Sequence, residues 1–200
     1  RGKVGDTVRF LSHVHIHDGD PDANARIAGA EARKRGYTHL AMGCHNWACP
    51  AELMRVVEAE YRVKTIRYSE LDLTVGRLAG GKAERVQVLA YNLPDYRLFE
   101  PLMPFLEAAL LVQQFGGKLV LAHPDSWLLF DFLRPYLDGY EVLNGIRVQP
   151  FYYATACPEV TPFRGADWHV WGLDVGPDGG KGDPSLFTEL PDDWFGEITP

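Results

Sequence analysis

Short runs rich in β-branched and aromatic residues alternate along this chain with stretches whose apolar side chains recur every three to four positions, the rhythm of strands followed by helices. Val8–His15 reads as the first strand and Ala23–Arg35 as a helix stopped by Gly36. Thr38–Met42 is a second strand, and after Pro50 the spacing of Leu53, Val56 and Val57 predicts a helix over Ala51–Tyr61. Val63–Leu71 and Glu84–Tyr91 read as strands parted by Gly80-Gly81, and Tyr96–Phe115 as a long apolar helix ahead of Gly116-Gly117. Lys118–Ala122 is a buried strand, Trp127–Tyr136 a helix and Tyr140–Leu143 a strand. The stretch Asn144–Pro162 is less regular, and an irregular tail is expected from about residue 176. Repeated β-then-α order predicts an α/β fold with a parallel sheet or barrel, whose sites assemble at the carboxyl ends of the strands.

Composition narrows the classes. At 200 residues the chain is expected to form a single domain over 1–200, and 46% hydrophobic with 24% charged residues excludes a disordered or fibrous chain. A formal charge of −7 disfavours long nucleic acid and anionic membranes as partners. No apolar run approaches the ~20 residues of a membrane span, and Arg1–Asp6 has no apolar signal core. The three cysteines, Cys44, Cys49 and Cys157, cannot all pair within one chain, so a reducing, cytoplasmic location is expected. The cluster Cys44-His45-x-x-x-Cys49 suggests a zinc-thiolate pair, but no second cysteine pair follows it.

Candidate chemistry collects at strand ends. His13-Val14-His15 closes the first strand, where residues two apart share a face, and His17-Asp18-Gly19 follows at once. His45 follows the second strand, Glu70 ends the third, His123 follows the strand after the long helix, and Asp167-Trp168-His169 offers a second pair two apart. Only His39 sits in a strand body, and it is read as structural. Imidazoles and carboxylates without thiolates suit Zn²⁺, Mn²⁺ or Fe, and a carboxylate shared between ions is what a multinuclear hydrolase needs. Arg147 and Arg164 could grip a phosphate bidentately or make ordinary surface ion pairs.

The ordered succession of His-x-His, Asp-Gly, His45, Glu70, Ala122-His123-Pro124, Asn144-Gly145 and Asp-x-His resembles the polymerase and histidinol phosphatase (PHP) family over His13 to His169. The resemblance implies a distorted (β/α)7 barrel holding two or three divalent ions that hydrolyse phosphoesters through metal-activated hydroxide. It implies His13, His15, Glu70 and Asp167 around one ion, Glu70 and His123 on a second, and Asp18, His45 and His169 on a third, with His17 as substitute for Asp18. A small phosphorylated molecule or nucleotide is the implied substrate, with Arg147 and Arg164 as its candidate contacts. The chain departs from the family where a strand histidine is expected, since Gln87 stands there, and an amide is a weaker ligand than an imidazole. Hydrolysis of a non-phosphate bond, or metal binding without catalysis, are the competing readings.

Overall fold

The computed structural model describes residues 7–77, 83–124, 127–146, 159–170 and 181–197. The first predicted strand is two strands, β1 (Thr7–Leu11) and β2 (Val14–His15), with His13 between them at φ 58°. Helix α1 (Pro21–Lys34) begins where Asp20 caps the amides of Asp22 and Ala23, and Pro21 sits where a helix needs no N–H. It lays Ala25, Ala28 and Ala32 against the sheet. β3 (His39–Cys44) is buried throughout, β4 (Trp47–Ala48) folds back on it, and α2 (Ala51–Tyr61) follows Pro50.

β5 (Lys64–Arg77) and β6 (Ala83–Tyr91) form a long antiparallel pair, and β6 pairs antiparallel with β7 (Lys118–Leu121). The expected all-parallel order therefore breaks in the middle of the sheet. The long apolar helix is also shorter than its periodicity predicts: residues 96–98 make one 3-10 turn, and α3 (Phe105–Gln114) starts only after Pro104. Pro101 and Pro104 cannot donate to a continuous helical ladder, so the pattern of apolar residues overruns the helix. α4 (Trp127–Leu133) leads to β8 (Gly139–Asn144), and β9 (Thr161–Gly165) and β10 (Trp168–His169) follow. The segment expected to be an irregular tail contains β11 (Thr188–Pro191), antiparallel to β1; residues 171–180 lie outside the description.

Together these elements make a mixed α/β fold with a nearly closed, barrel-shaped sheet. Its strand path is β10-β2-β3-β5-β6-β7-β8-β9, and β9 leads into β10 through Ala166 and the left-handed Asp167. The seam is bridged by backbone bonds from Ala166 N–H to Ser12 O (3.2 Å) and from Trp168 N–H to His13 O (3.0 Å). The barrel interior is filled by Phe10, Ile66, Tyr68, Leu89, Tyr91 and Phe163, closed below by Phe195. Because alternate residues of a strand share a face, Ile66 and Tyr68 of this apolar plug are followed on the same side by Glu70. α1 and α2 cover one flank of the sheet, and α3 and α4 cover another. None of the described helices is long and apolar enough to cross a membrane.

Candidate metal centre

Above the apolar plug, residues from five separate stretches meet. Glu70 is fully buried, with its Oε2 3.3 Å from both His13 Nε2 and His15 Nε2 and 2.9 Å from His45 Nδ1. Its Oε1 lies 3.0 Å from His123 Nε2. Asp167 Oδ1 stands 3.5 Å from Nε2 of His13, of His15 and of His169, and His169 Nδ1 is 3.1 Å from Asp18 Oδ2. The rings of His15 and His169 stack with centroids 4.1 Å apart. The candidate residues His13, His15, Asp18, His45, Glu70, His123, Asp167 and His169 are thus brought together.

How they converge differs in part from the expected geometry. Glu70 was expected at a strand end, yet β5 runs on to Arg77, so Glu70 enters from mid-strand. His13 and His15 do not share a face of one straight strand: the chain kinks left-handed at His13, and their ring centroids come to 4.9 Å. His123 and Asp167 also adopt positive φ, at 28° and 45°. Left-handed backbone costs an L-residue of order 1–3 kcal/mol and persists only where the surroundings enforce it. Three cluster residues share this conformation, which turns each side chain inward at the end of a strand.

Electrostatics follow from burial and crowding. Burial works to keep His13 neutral, but the carboxylates of Glu141, Glu70 and Asp167 overcome it and hold its pKa well above the ordinary histidine value. His15 has no such balance, and burial pulls it down to about 4. Burial pushes Glu70 and Asp167 upward, yet in both cases the neighbouring imidazoles, His13 foremost, win and hold the carboxyl well below its usual range. The adjacent carboxylate of Glu70 raises His45, and that of Asp167 raises His169.

Among the described residues, three sets of donors lie within 4.8 Å of one another: His13, His15 and Asp167; His13, Glu70 and His123; His15, His45 and His169. His13 Nε2, His15 Nδ1 and Nε2, and Glu70 Oε2 are buried without a hydrogen-bond partner. Each such atom costs about 1–3 kcal/mol if left unmatched. Unmatched nitrogens and a carboxylate oxygen turned toward one another, with no thiolate among them, fit hard or borderline divalent cations.

Other candidates lie elsewhere. His17 is exposed and packs on Trp47 at 4.6 Å between centroids, so Asp18 and not His17 reaches His169. Arg164 is exposed on the face of β9 opposite Phe163 and Gly165, which face the interior, so the structure does not bring it to the cluster. Arg147 lies outside the described residues. Gln87 stands at the rim, its Nε2 donating to Asp72 Oδ1 at 2.8 Å and lying 3.4 Å from His45 Nδ1. His39 is buried in β3 with its Nδ1 3.0 Å from Thr38 Oγ1, away from the cluster. Cys44 and Cys49 are free, buried thiols that belong to none of the three donor sets.

The sequence reading missed Glu141, which lies 2.7 Å from His13 Nδ1. The signal was present, a lone acid within the otherwise uncharged strand Gly139–Asn144, but a strand residue facing solvent gives the same pattern.

No protein-family model matches the sequence, and no characterised protein matches it either. Solved structures do. A two-domain protein of Bacteroides vulgatus containing a predicted PHP-like metal-dependent phosphoesterase superposes with a TM-score of 0.51 at 18% identity, over 72% of this chain and 46% of its own. An inferred metal-dependent phosphoesterase of Bifidobacterium adolescentis gives 0.55 at 14% identity, over 87% of this chain and 92% of its own. The chain thus spans about half of the first protein and nearly all of the second, and shares their fold.

Proposed function

We propose that this chain is a divalent-metal-dependent phosphoesterase of the PHP type, a single domain with a distorted (β/α)7 barrel, acting on a small phosphorylated molecule or nucleotide. The observation that carries the reading is the set of buried, unpartnered ligand atoms on His13, His15 and Glu70. In this reading His13, His15, Glu70 and Asp167 hold one ion, Glu70 and His123 a second, and Asp18, His45 and His169 a third. Bound zinc, manganese or iron would supply Lewis-acid activation of water and neutralise charge on the phosphoryl oxygens.

The chain's own residues do the rest. Glu70 touches four imidazoles, so its carboxylate ties the subsites into one unit. His45 and His169 are less buried than His13 and His15 and stand at the mouth, where a substrate enters. Burial raises the thiols of Cys44 and Cys49 to about 11 and 12, which leaves neither as a nucleophile near neutral pH. With Arg164 turned away, Arg147 is the remaining candidate among the two arginines for a phosphate contact.

Gln87 favours a second reading, a PHP-like domain that binds metal without turnover, because its amide is engaged with Asp72. The test is hydrolysis of phosphomonoesters and nucleotides with added Mn²⁺ or Zn²⁺, set against a panel of carboxylic esters and amides. Chelator-sensitive release of phosphate supports the proposal. Turnover of the carbonyl panel alone identifies a hydrolase of another bond, and metal uptake without turnover of either panel leaves the binding domain.

A further inference from the structure

The geometry points to Glu141 as a positioning residue that decides which nitrogen of His13 faces the cluster. This rests on the metal-centre reading above and concerns how the chain prepares that centre. Glu141 is fully buried in β8. Its Oε1 lies 2.7 Å from His13 Nδ1, while its Oε2 accepts from the His123 backbone N–H and from Asn144 Nδ2, each at 2.8 Å. A Cβ on Gly165 of the adjoining β9 would overlap Oε1, so the neighbouring strand leaves room for the carboxylate only because it carries no side chain there.

An ionised carboxylate only accepts hydrogen bonds, so Nδ1 of His13 must carry the hydrogen. A neutral His13 then presents a bare Nε2, the atom that lies 3.3 Å from Glu70 and 3.5 Å from Asp167 and has no hydrogen-bond partner. Fixing the tautomer through the far nitrogen is how a carboxylate beyond the ligands tunes a metal-binding histidine. The same carboxylate holds the backbone of His123 in its left-handed turn, so one side chain aligns two of the proposed ligands.

Glu141→Gln separates this role from mere packing. Two N–H donors aim at the Oε2 position, so the amide oxygen must take that place and the NH₂ group must face His13. An NH₂ group can only donate, which forces Nδ1 to accept and moves the hydrogen of neutral His13 onto Nε2. The nearly isosteric variant should fold while losing affinity for zinc by about 10- to 100-fold.

The experiment is calorimetric zinc titration of the wild type and Glu141→Gln, with ¹⁵N-histidine NMR of the zinc-loaded proteins. The expected result is weakened zinc binding in the variant and a hydrogen on Nδ1 of His13 in the wild type. A folded variant with unchanged zinc affinity overturns the proposal. Should the variant not fold, the wild-type spectrum decides alone, because zinc on Nδ1 of His13 overturns it equally. A wild type that takes up no zinc defeats the metal-centre reading itself, and Glu141's role with it.

Discussion

Zinc affinity should fall steeply as the solution is acidified, because binding must expel protons that the metal-free cluster holds. His13, kept well above 6.5 by three carboxylates, is a cation at that pH and below. Each imidazole that must lose a proton weakens apparent binding about tenfold per pH unit below its own pKa, or ~1.4 kcal/mol. His45 and His169 are raised in the same direction and add to the slope. His15, lowered to about 4, is already neutral and adds nothing above that value. Glu70 and Asp167, held below the ordinary carboxylate range, stay ionised as ligands throughout. The expected slope of log affinity against pH is therefore at least one below about pH 6.5, rising toward three as His45 and His169 join His13. Titration calorimetry in buffers of differing ionisation enthalpy reads both the slope and the protons released. Affinity that stays flat between about pH 5.5 and 6.5, or zinc uptake without proton release, would refute the electrostatic account of the cluster.

Gln87→His replaces the rim amide with an imidazole beside Asp72 and His45, and should raise zinc stoichiometry by about one ion per chain, measured by elemental analysis of the dialysed protein. Cys44 and Cys49, buried and raised to about 11 and 12, should resist alkylation in the native protein near pH 8 and label only on unfolding, as mapped by peptide mass spectrometry. Phe195→Ala should cost about 3–5 kcal/mol in urea unfolding, because the ring is buried edge-on against Phe10 and Trp194. Zinc stoichiometry should survive that change, since Phe195 closes the opposite end of the barrel interior.

The candidate site was legible because each of its residues lies in a short motif next to an apolar run, and strand ends can be located from such runs. The kinks at His13 and Asp167 were not, since a left-handed turn at a residue other than glycine leaves no mark in the order of side chains. Strand parity defeated the expectation for Arg164: its position beside the Asp-x-His motif was correct, but one residue decides which face of β9 it occupies. The break at Pro104 was written in the chain, and apolar periodicity alone hides it. Pairing direction between β5 and β6 depends on how the connection turns, which strand composition does not record.

The seam between β10 and β2 has a consequence for the life of the chain. His169 sits opposite His15 in that pairing, and the residues joined there, such as Asp18 and His169, are 151 positions apart. The donor set of His15, His45 and His169 therefore cannot form in a ribosome-bound fragment ending before β10, whereas His13, Glu70 and His123 are already present in one. In the proposed reading, zinc uptake at the set completed by His169 reports the final docking of the two edges, readable in a refolding experiment as the last phase to appear.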